Sequence, residues 1–269
     1  NNIRLDDDLV FIPVFRVNEV NMAAYVQADT EVSLFGRPLR GQVGVRYVDV
    51  DTNTNFTDRF SGVRSQGSVN ANRFLPSATL RYEPVDGVRL RFNYGETLRR
   101  AAFGDLNSNY SLTGDLTRLG YGTGSRGNPG LQPTHSKNLD FSAEWYFDRS
   151  SAIYGTLFRR EIQGLVEPIT SLVNVPNTGL NVDRFLTTRP ENASVGVLEG
   201  AELGFTLFPR RLPGILQGLG AQGSFTFLRS SQNIPLVDIN GNVTGQTESD
   251  FFGVSDFSYN MTLAYDRGP

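Results

Sequence analysis

The feature that most constrains this chain is a period of two in its apolar residues. In residues 88–94, Val88, Leu90, Phe92 and Tyr94 point one way while Arg89, Arg91 and Asn93 point the other. Residues 139–147 set Leu139, Phe141, Ala143, Trp145 and Phe147 against Asp140, Ser142, Glu144 and Tyr146. The same pattern puts Ala221, Gly223, Phe225 and Phe227 opposite Gln222, Ser224 and Thr226, and Phe257, Tyr259, Met261, Leu263 and Tyr265 opposite Ser258, Asn260, Thr262 and Ala264. Successive strand residues face opposite sides of a sheet, so this periodicity predicts strands with one apolar and one polar face. Extended along the chain, it predicts about nine antiparallel strands near 20–31, 40–50, 74–83, 88–98, 135–147, 152–163, 195–208, 219–230 and 256–266, and hence an all-β fold.

The connections alternate between two classes. Those at 34–39, 84–87, 148–151 and 209–218 are short, and those at 51–73, 99–134, 164–194 and 231–255 are long. A soluble sandwich has no reason to gather its long loops at one end. A transmembrane β-barrel does, with short periplasmic turns and long extracellular loops. No run reaches the 18 apolar residues a membrane helix needs, but a barrel strand needs only about 9–11 tilted residues, every second one apolar. The polar faces carry Arg46, Arg81, Arg89, Arg91, Asp140 and Glu144. A charge facing lipid at mid-bilayer costs on the order of 2–4 kcal/mol, so these side chains are expected to face a wet or plugged lumen, with the two carboxylates as partners for the arginines. Tyr82, Trp145, Phe147 and Tyr265 fall beside the short turns, where a periplasmic aromatic girdle belongs.

Composition removes most chemistry. The 269 residues include no cysteine and one histidine, His135, and the formal charge is −3. Thiol chemistry and cysteine zinc sites are excluded, no metal site is indicated, and a nucleic-acid binder would show a basic stripe. Gly122-Thr123-Gly124-Ser125-Arg126-Gly127 matches a dinucleotide-binding spacing, but Asn128-Pro129-Gly130 follows where a helix is required, so a surface loop is expected. The stretch Asp49–Asn55 starts like a calcium loop, yet Thr54 and Phe60 occupy the positions that need Gly and Glu. A loosely ligated loop calcium is the minor alternative, and no cofactor is otherwise expected. Asp238-Ile239-Asn240-Gly241-Asn242 reads as a turn. The acidic run Asp6-Asp7-Asp8 reads as solvated. Asp140 and Glu144 share a strand face roughly 13 Å apart at about 3.3 Å per residue, too far for a glycosidase pair. Nothing marks a nucleophile for His135, and the chain is not expected to be an enzyme.

Several stretches, taken in order, carry a resemblance: Leu39-Arg40-Gly41-Gln42-Val43-Gly44-Val45-Arg46-Tyr47; Phe74-Leu75-Pro76-Ser77-Ala78-Thr79-Leu80-Arg81-Tyr82; Leu90-Arg91-Phe92-Asn93-Tyr94-Gly95-Glu96-Thr97-Leu98-Arg99-Arg100; and Gly127-Asn128-Pro129-Gly130-Leu131-Gln132-Pro133-Thr134-His135. From about residue 19 onward the chain resembles the barrel of TonB-dependent receptors, particularly the proteobacterial branch linked to oligosaccharide uptake. That resemblance implies an outer-membrane protein of a Gram-negative bacterium and active transport of a scarce nutrient, oligosaccharide first and ferric siderophore second. It implies as partners a plug domain, the remaining strands of a roughly 22-stranded barrel, the TonB complex, and outer-membrane lipid or lipopolysaccharide. Residues 1–269 are then expected to be part of such a barrel, with the plug and the C-terminal strands not represented, and Asp266-Arg267-Gly268-Pro269 looks like a turn before a further strand. The long loop offers Arg99, Arg100, Phe103, Asp105, Asn107, Asn109, Tyr110 and Tyr121 as candidate ligand contacts, because aromatic faces and amides suit a sugar. The stretch 99–107 also has a structural reading, in which it folds the loop back over the barrel mouth. Rival readings are an ungated porin or adhesin-like barrel and, further off, a soluble all-β binding module.

Overall fold

The computed structural model describes residues 15–60, 62–209 and 212–266. The acidic run at 6–8 and the end of the turn-like terminus at 267–269 lie outside the described residues. Among the described residues twelve strands form: β1 (Phe15–Leu34), β2 (Arg37–Thr57), β3 (Arg64–Tyr82), β4 (Val88–Arg99), β5 (Ser111–Thr113), β6 (Gly122–Ser125), β7 (Thr134–Asp148), β8 (Ser151–Asn174), β9 (Arg184–Leu207), β10 (Leu219–Val237), β11 (Val243–Ser249) and β12 (Phe257–Tyr265). The antiparallel order is β1-β2-β3-β4-β7-β8-β9-β10, and β11 and β12 share the far edge of β10. The sheet is open, an unclosed arc of a barrel.

Register explains why the two faces separate. Residues opposed across a ladder share a face. One unbroken row runs Gly41, Leu80, Phe92, Phe141, Leu157, Ala201, Phe227 and Phe257 across eight strands. One step along each strand lies a row of the opposite kind: Arg40, Arg81, Arg91, Ser142, Thr156, Glu202, Thr226 and Ser258. A slip of one residue between any pair would mix the rows, so the alternation fixes the register. The apolar face is bare: Val26, Val43, Phe74, Leu203 and Leu263 are all more than half exposed. An apolar band continuous over the long strands is what the lipid-facing side of a membrane barrel presents.

The band has definite edges. On β2 the apolar face reads Leu39, Gly41, Val43, Val45 and Tyr47, then turns to Asp49, Asp51, Asn53 and Asn55. Nine residues from 39 to 47 match what a tilted strand needs to cross a bilayer. At the upper edge Tyr47 packs on Phe74 and Phe227 on Phe257, each pair with ring centroids 5.0 Å apart. At the lower edge Trp145 packs on Phe147 at 5.1 Å. The expected periplasmic girdle therefore has an extracellular counterpart that the strand assignments did not single out. Above the band the polarity inverts. Val48, Val50, Thr52 and Thr54, on what was the polar face, are buried, and Asn70 donates to Asp49 on the outside at 3.1 Å.

This inversion accounts for the main difference from the sequence reading. All nine expected strands are present, but most run well past the membrane. Residues 51–73 are largely a β2–β3 ribbon, and 164–194 are largely a β8–β9 ribbon. The stretch Asp49–Asn55, weighed as a calcium loop, is extended strand within β2. Only 99–134 is a long loop, and it contains a 3-10 turn at Phe103–Leu106 and the short pair β5–β6. The short turns match expectation. At Gly87, φ is +78° and an added Cβ would sit 2.5 Å from the Tyr146 carbonyl oxygen, so only glycine fits that reversal.

The polar face holds an ion-pair chain at its lower end. Glu83 pairs with Arg81 and, at 3.2 Å, with Arg89. Glu144 pairs with Arg89 at 3.6 Å and Arg91 at 3.2 Å, and Asp140 with Arg160 at 2.6 Å. The expected pairing of these carboxylates with arginines is thus present. Arg46 shares the face but makes no ion pair among the described residues.

Candidate extracellular binding site

The apolar core of the described residues lies outside the membrane band. Val48, Val50, Val69, Leu106, Leu131 and Phe185 are its buried members, and they sit where the 99–134 loop folds back on the strand ends. Hydrogen bonds fix this loop at several points. Asn128 donates to the Pro190 carbonyl at 3.0 Å and to Glu191 at 2.9 Å. Asn192 accepts from the Gln132 backbone at 2.8 Å and donates to the Gln132 carbonyl at 2.9 Å. Strand β6 pairs in parallel with β9, Gly122 opposite Phe185 and Ser125 opposite Thr188.

The glycines with dinucleotide-like spacing have a packing role. A Cβ on Gly122 would lie 2.3 Å from the Thr113 carbonyl oxygen and 2.7 Å from the Phe185 ring. One on Gly127 would lie 2.4 Å from the Asp105 carbonyl oxygen. They let β6 and the following chain lie flush against 105–113 and β9. No helix follows, in keeping with the loop expected there.

Between this loop and the β8–β9 ribbon is a groove of about 480 Å³. Asp105, Asn107, Asn109, Ser111, Ser125 and Arg126 line one side, and Val166, Pro168, Thr188 and Pro190 the other. The Arg126 guanidinium sits over the Tyr110 ring, 5.0 Å from its centroid. Asn107 accepts from the Asn109 backbone and side chain at 3.2 Å, which orients both amides. One carboxylate and one guanidinium leave the lining without net charge, among amides, hydroxyls and proline faces.

The candidate residues separate. Asp105, Asn107 and Asn109 line the groove and Tyr110 supports Arg126. Arg100 instead forms an ion pair with Glu19 at the seam between the loop and β1, beside Leu106 and Leu131. Arg99 closes β4 opposite Thr134, Phe103 is half exposed on the 3-10 turn, and Tyr121 precedes β6; none of the three lines the groove. Arg126, Ser111, Ser125 and Thr188 were not singled out from sequence. The signal for Arg126 was its place inside the glycine cluster.

Beside the loop lies the single histidine. His135 is buried, with Nε2 2.7 Å from Glu96 and Nδ1 3.2 Å from Arg73. A guanidinium can only donate, so Nδ1 accepts and the proton sits on Nε2, donated to Glu96. Burial pushes the Glu96 carboxyl up, but hydrogen bonds from Tyr94 and His135 outweigh it and hold the group below the usual carboxylate range. These contacts close the split where β3 and β4 part above Gly95. Farther out, Asp115 accepts from the backbone N–H of Thr117, Arg118 and Gly120, and Asn181 ties it to the β8–β9 ribbon tip.

One carboxylate in that ribbon is badly placed. Glu167 lies directly opposite Glu191, and burial pushes its carboxyl above the usual range. A carboxyl raised by folding costs stability as pH climbs from its unfolded value of about 4.3 through its folded one. Glu167→Gln is therefore expected to raise the protease resistance of the β8–β9 ribbon at pH 7.5, with the gain shrinking as pH falls toward about 4.3 and absent below it. Equal gains at both pH values would contradict this origin.

Comparison with known proteins completes the picture. The family model for the TonB dependent receptor-like β-barrel matches residues 6–269. None of the curated proteins matches the chain. Among solved structures, the siderophore receptor PiuA from Acinetobacter baumannii aligns with 94% of this chain and 32% of its own, at 14% identity and a TM-score of 0.57. A mutant ferric enterobactin receptor, PfeA, from Pseudomonas aeruginosa aligns with 93% of this chain and 46% of its own, at 13% identity and a TM-score of 0.50. The siderophore receptor PirA from the same organism aligns with 81% of this chain and 45% of its own, at 13% identity and a TM-score of 0.49. The chain thus spans less than half the length of these structures, and at such identities the likeness is one of fold. With the family model matched over nearly its whole length, the chain belongs to the TonB-dependent receptor β-barrel family.

Proposed function

We propose that this chain is part of the wall and outer mouth of an outer-membrane active transporter of a Gram-negative bacterium, and that its substrate is a neutral, hydroxyl-rich molecule of the oligosaccharide class. Family membership supports the transport reading, and the bare apolar band supports the membrane placement. Import energised through TonB, by way of a plug domain in the lumen, follows from the family.

The observation that carries the substrate class is the lining of the groove beside the 99–134 loop. A sugar offers hydroxyls that donate and accept, and apolar ring faces. Asn107, Ser111, Ser125 and Thr188 supply both kinds of partner, and Pro168 and Pro190 supply flat apolar surface. A ferric tris-catecholate is strongly anionic and would be met by clustered cations. Here one arginine stands against one aspartate. The structural neighbours named as siderophore receptors point the other way, and the two readings separate by experiment.

Cells producing the whole receptor are given a labelled neutral oligosaccharide or a ferric catecholate siderophore, with and without a protonmotive-force uncoupler. Sugar uptake that collapses with the uncoupler is expected. Asn107→Ala and Arg126→Ala are each expected to weaken sugar binding by about tenfold, the loss of one or two well-placed hydrogen bonds. Uptake of the siderophore alone would overturn the substrate class. Uptake indifferent to the uncoupler would overturn active transport.

A further inference from the structure

The polar face of the wall holds a recess of about 370 Å³ between β4, β7 and β8. Register builds it in three rows. Asn93 stands beside Asp140 at the top, Arg91 beside Ser142 and Thr156 in the middle, and Glu144 beside Tyr154 below. Residues paired across a ladder share a face, so these side chains all meet on the lumen side.

The charges of the recess are already matched. Arg91 pairs with Glu144 at 3.2 Å and Asp140 with Arg160 at 2.6 Å, and the Tyr146 hydroxyl donates to Glu144 at 2.6 Å. The neutral groups are not. Among the described residues, the side chains of Asn93, Ser142, Tyr154 and Thr156 make no hydrogen bond. One amide and three hydroxyls offer donors and acceptors alike.

The Tyr154 ring has a fixed place. It stands opposite Gly204 on β9, where an added Cβ would run into the hydroxyl end of the ring, so the glycine lets the ring lie down on the wall. Half-buried there, it borders the recess. Phe158 lies on Gly200 in the same way, but the Arg160 guanidinium sits over it, 5.6 Å from the ring centroid. Among the described residues no cation covers Tyr154. A paired ionic frame around unspent neutral groups, with an aromatic ring at its side, fits a sugar unit. A charged ligand would have to compete with ion pairs already made.

We propose that this recess is a lumenal relay site for a neutral sugar unit, with Tyr154 stacking on the apolar face of the sugar and Asn93, Ser142 and Thr156 bonding its hydroxyls. It receives the substrate from the outer groove once the plug has moved, and so it rests on the oligosaccharide reading given above.

Cells producing the whole receptor are assayed with a labelled neutral oligosaccharide, for surface binding in the presence of an uncoupler and for maximal uptake rate without it. Tyr154→Leu is expected to leave surface binding unchanged and to lower the uptake rate about tenfold, through the lost aromatic contact and hydrogen bond. Tyr154→Phe keeps the ring and is expected to recover most of that rate. Phe205→Leu controls for a merely structural ring. Phe205 lies over Gly223 in the same manner but faces lipid, and this variant is expected to keep wild-type uptake. All three are expected to keep the heat-modifiable mobility of a folded barrel. An unchanged uptake rate in Tyr154→Leu, or equal losses in Tyr154→Leu and Phe205→Leu, overturns the site. Loss of surface binding together with uptake also overturns it. So does entry of a large glycopeptide antibiotic into uncoupled Tyr154→Leu cells, which means that the ring holds the plug. A wild-type receptor that neither binds nor imports the oligosaccharide sinks the substrate reading itself, so the two failures are distinguishable.

Discussion

Leu203→Arg is expected to destabilise the membrane-inserted receptor by about 2–4 kcal/mol, and Thr226→Arg by less than about 1 kcal/mol, although the two positions lie on neighbouring strands at nearly the same height. Leu203 is on the apolar face, opposite Gly155 and Phe225, two residues in from the upper edge at Ala201 and four from Leu207 at the lower end of β9. An arginine there must desolvate or drag water and headgroups toward the bilayer centre. Thr226 is on the polar face, opposite Glu202 and Ser258, where an arginine finds water and a carboxylate. Equilibrium unfolding of the whole receptor in lipid vesicles checks both. Equal penalties would mean that the faces have been assigned wrongly, and a larger penalty at 226 would mean that the barrel is inside out.

This contrast was legible from sequence because alternation is a local signal. Val88 to Tyr94 and Leu139 to Phe147 announce strand, face and neighbour without any knowledge of the rest of the chain. The charges on the polar face were legible for the same reason, since Arg89, Arg91, Asp140 and Glu144 break an otherwise apolar alternation on one side only. What the sequence hid was where strands stop. Above the band β2 still alternates, but Asp49 and Asp51 now face outward and Val48 and Val50 inward. Polarity had been tied to lipid, so a strand leaving the lipid read as loop. The same blindness covered β11, whose run Val243–Ser249 has no apolar stripe because it lies against β10 beyond the membrane.

The candidate site was legible in part, and the split has a physical basis. Asp105, Asn107 and Asn109 could be picked because polar residues at a loop turn are good candidates for contact. Arg100 looked the same from sequence, yet its partner Glu19 lies 81 residues away. The other wall of the groove, Val166 to Pro190, comes from a ribbon distant in sequence, held by the parallel pairing of β6 with β9. No local pattern encodes a pairing of four residues across some sixty positions. The glycine cluster was the only trace of it, and its spacing also matches a dinucleotide-binding loop because close backbone approach is what both arrangements demand of glycine.

That pairing is also where the extracellular structure is most vulnerable. Phe185 is fully buried, its ring against Gly122, and Thr187 beside it is nearly so. Truncating a buried phenylalanine costs about 3–5 kcal/mol where the site cannot collapse. Phe185→Ala is expected to release 111–125 from β9. Backbone hydrogen exchange there should rise by orders of magnitude while the protection of β7 to β10 within the membrane band stays unchanged. Asn128 and Asn192 anchor the following chain independently, so 128–132 should remain protected. Because Ser111, Ser125 and Thr188 flank the released seam, substrate binding should fall with the exchange protection. Gly122→Val provides the same test from the other side, since its side chain would be driven into the Thr113 carbonyl and the Phe185 ring. If both variants release the loop and the substrate still binds at wild-type affinity, the groove is not where it binds. If neither variant raises exchange, the loop is held by its asparagine anchors, and the buried phenylalanine is a passenger.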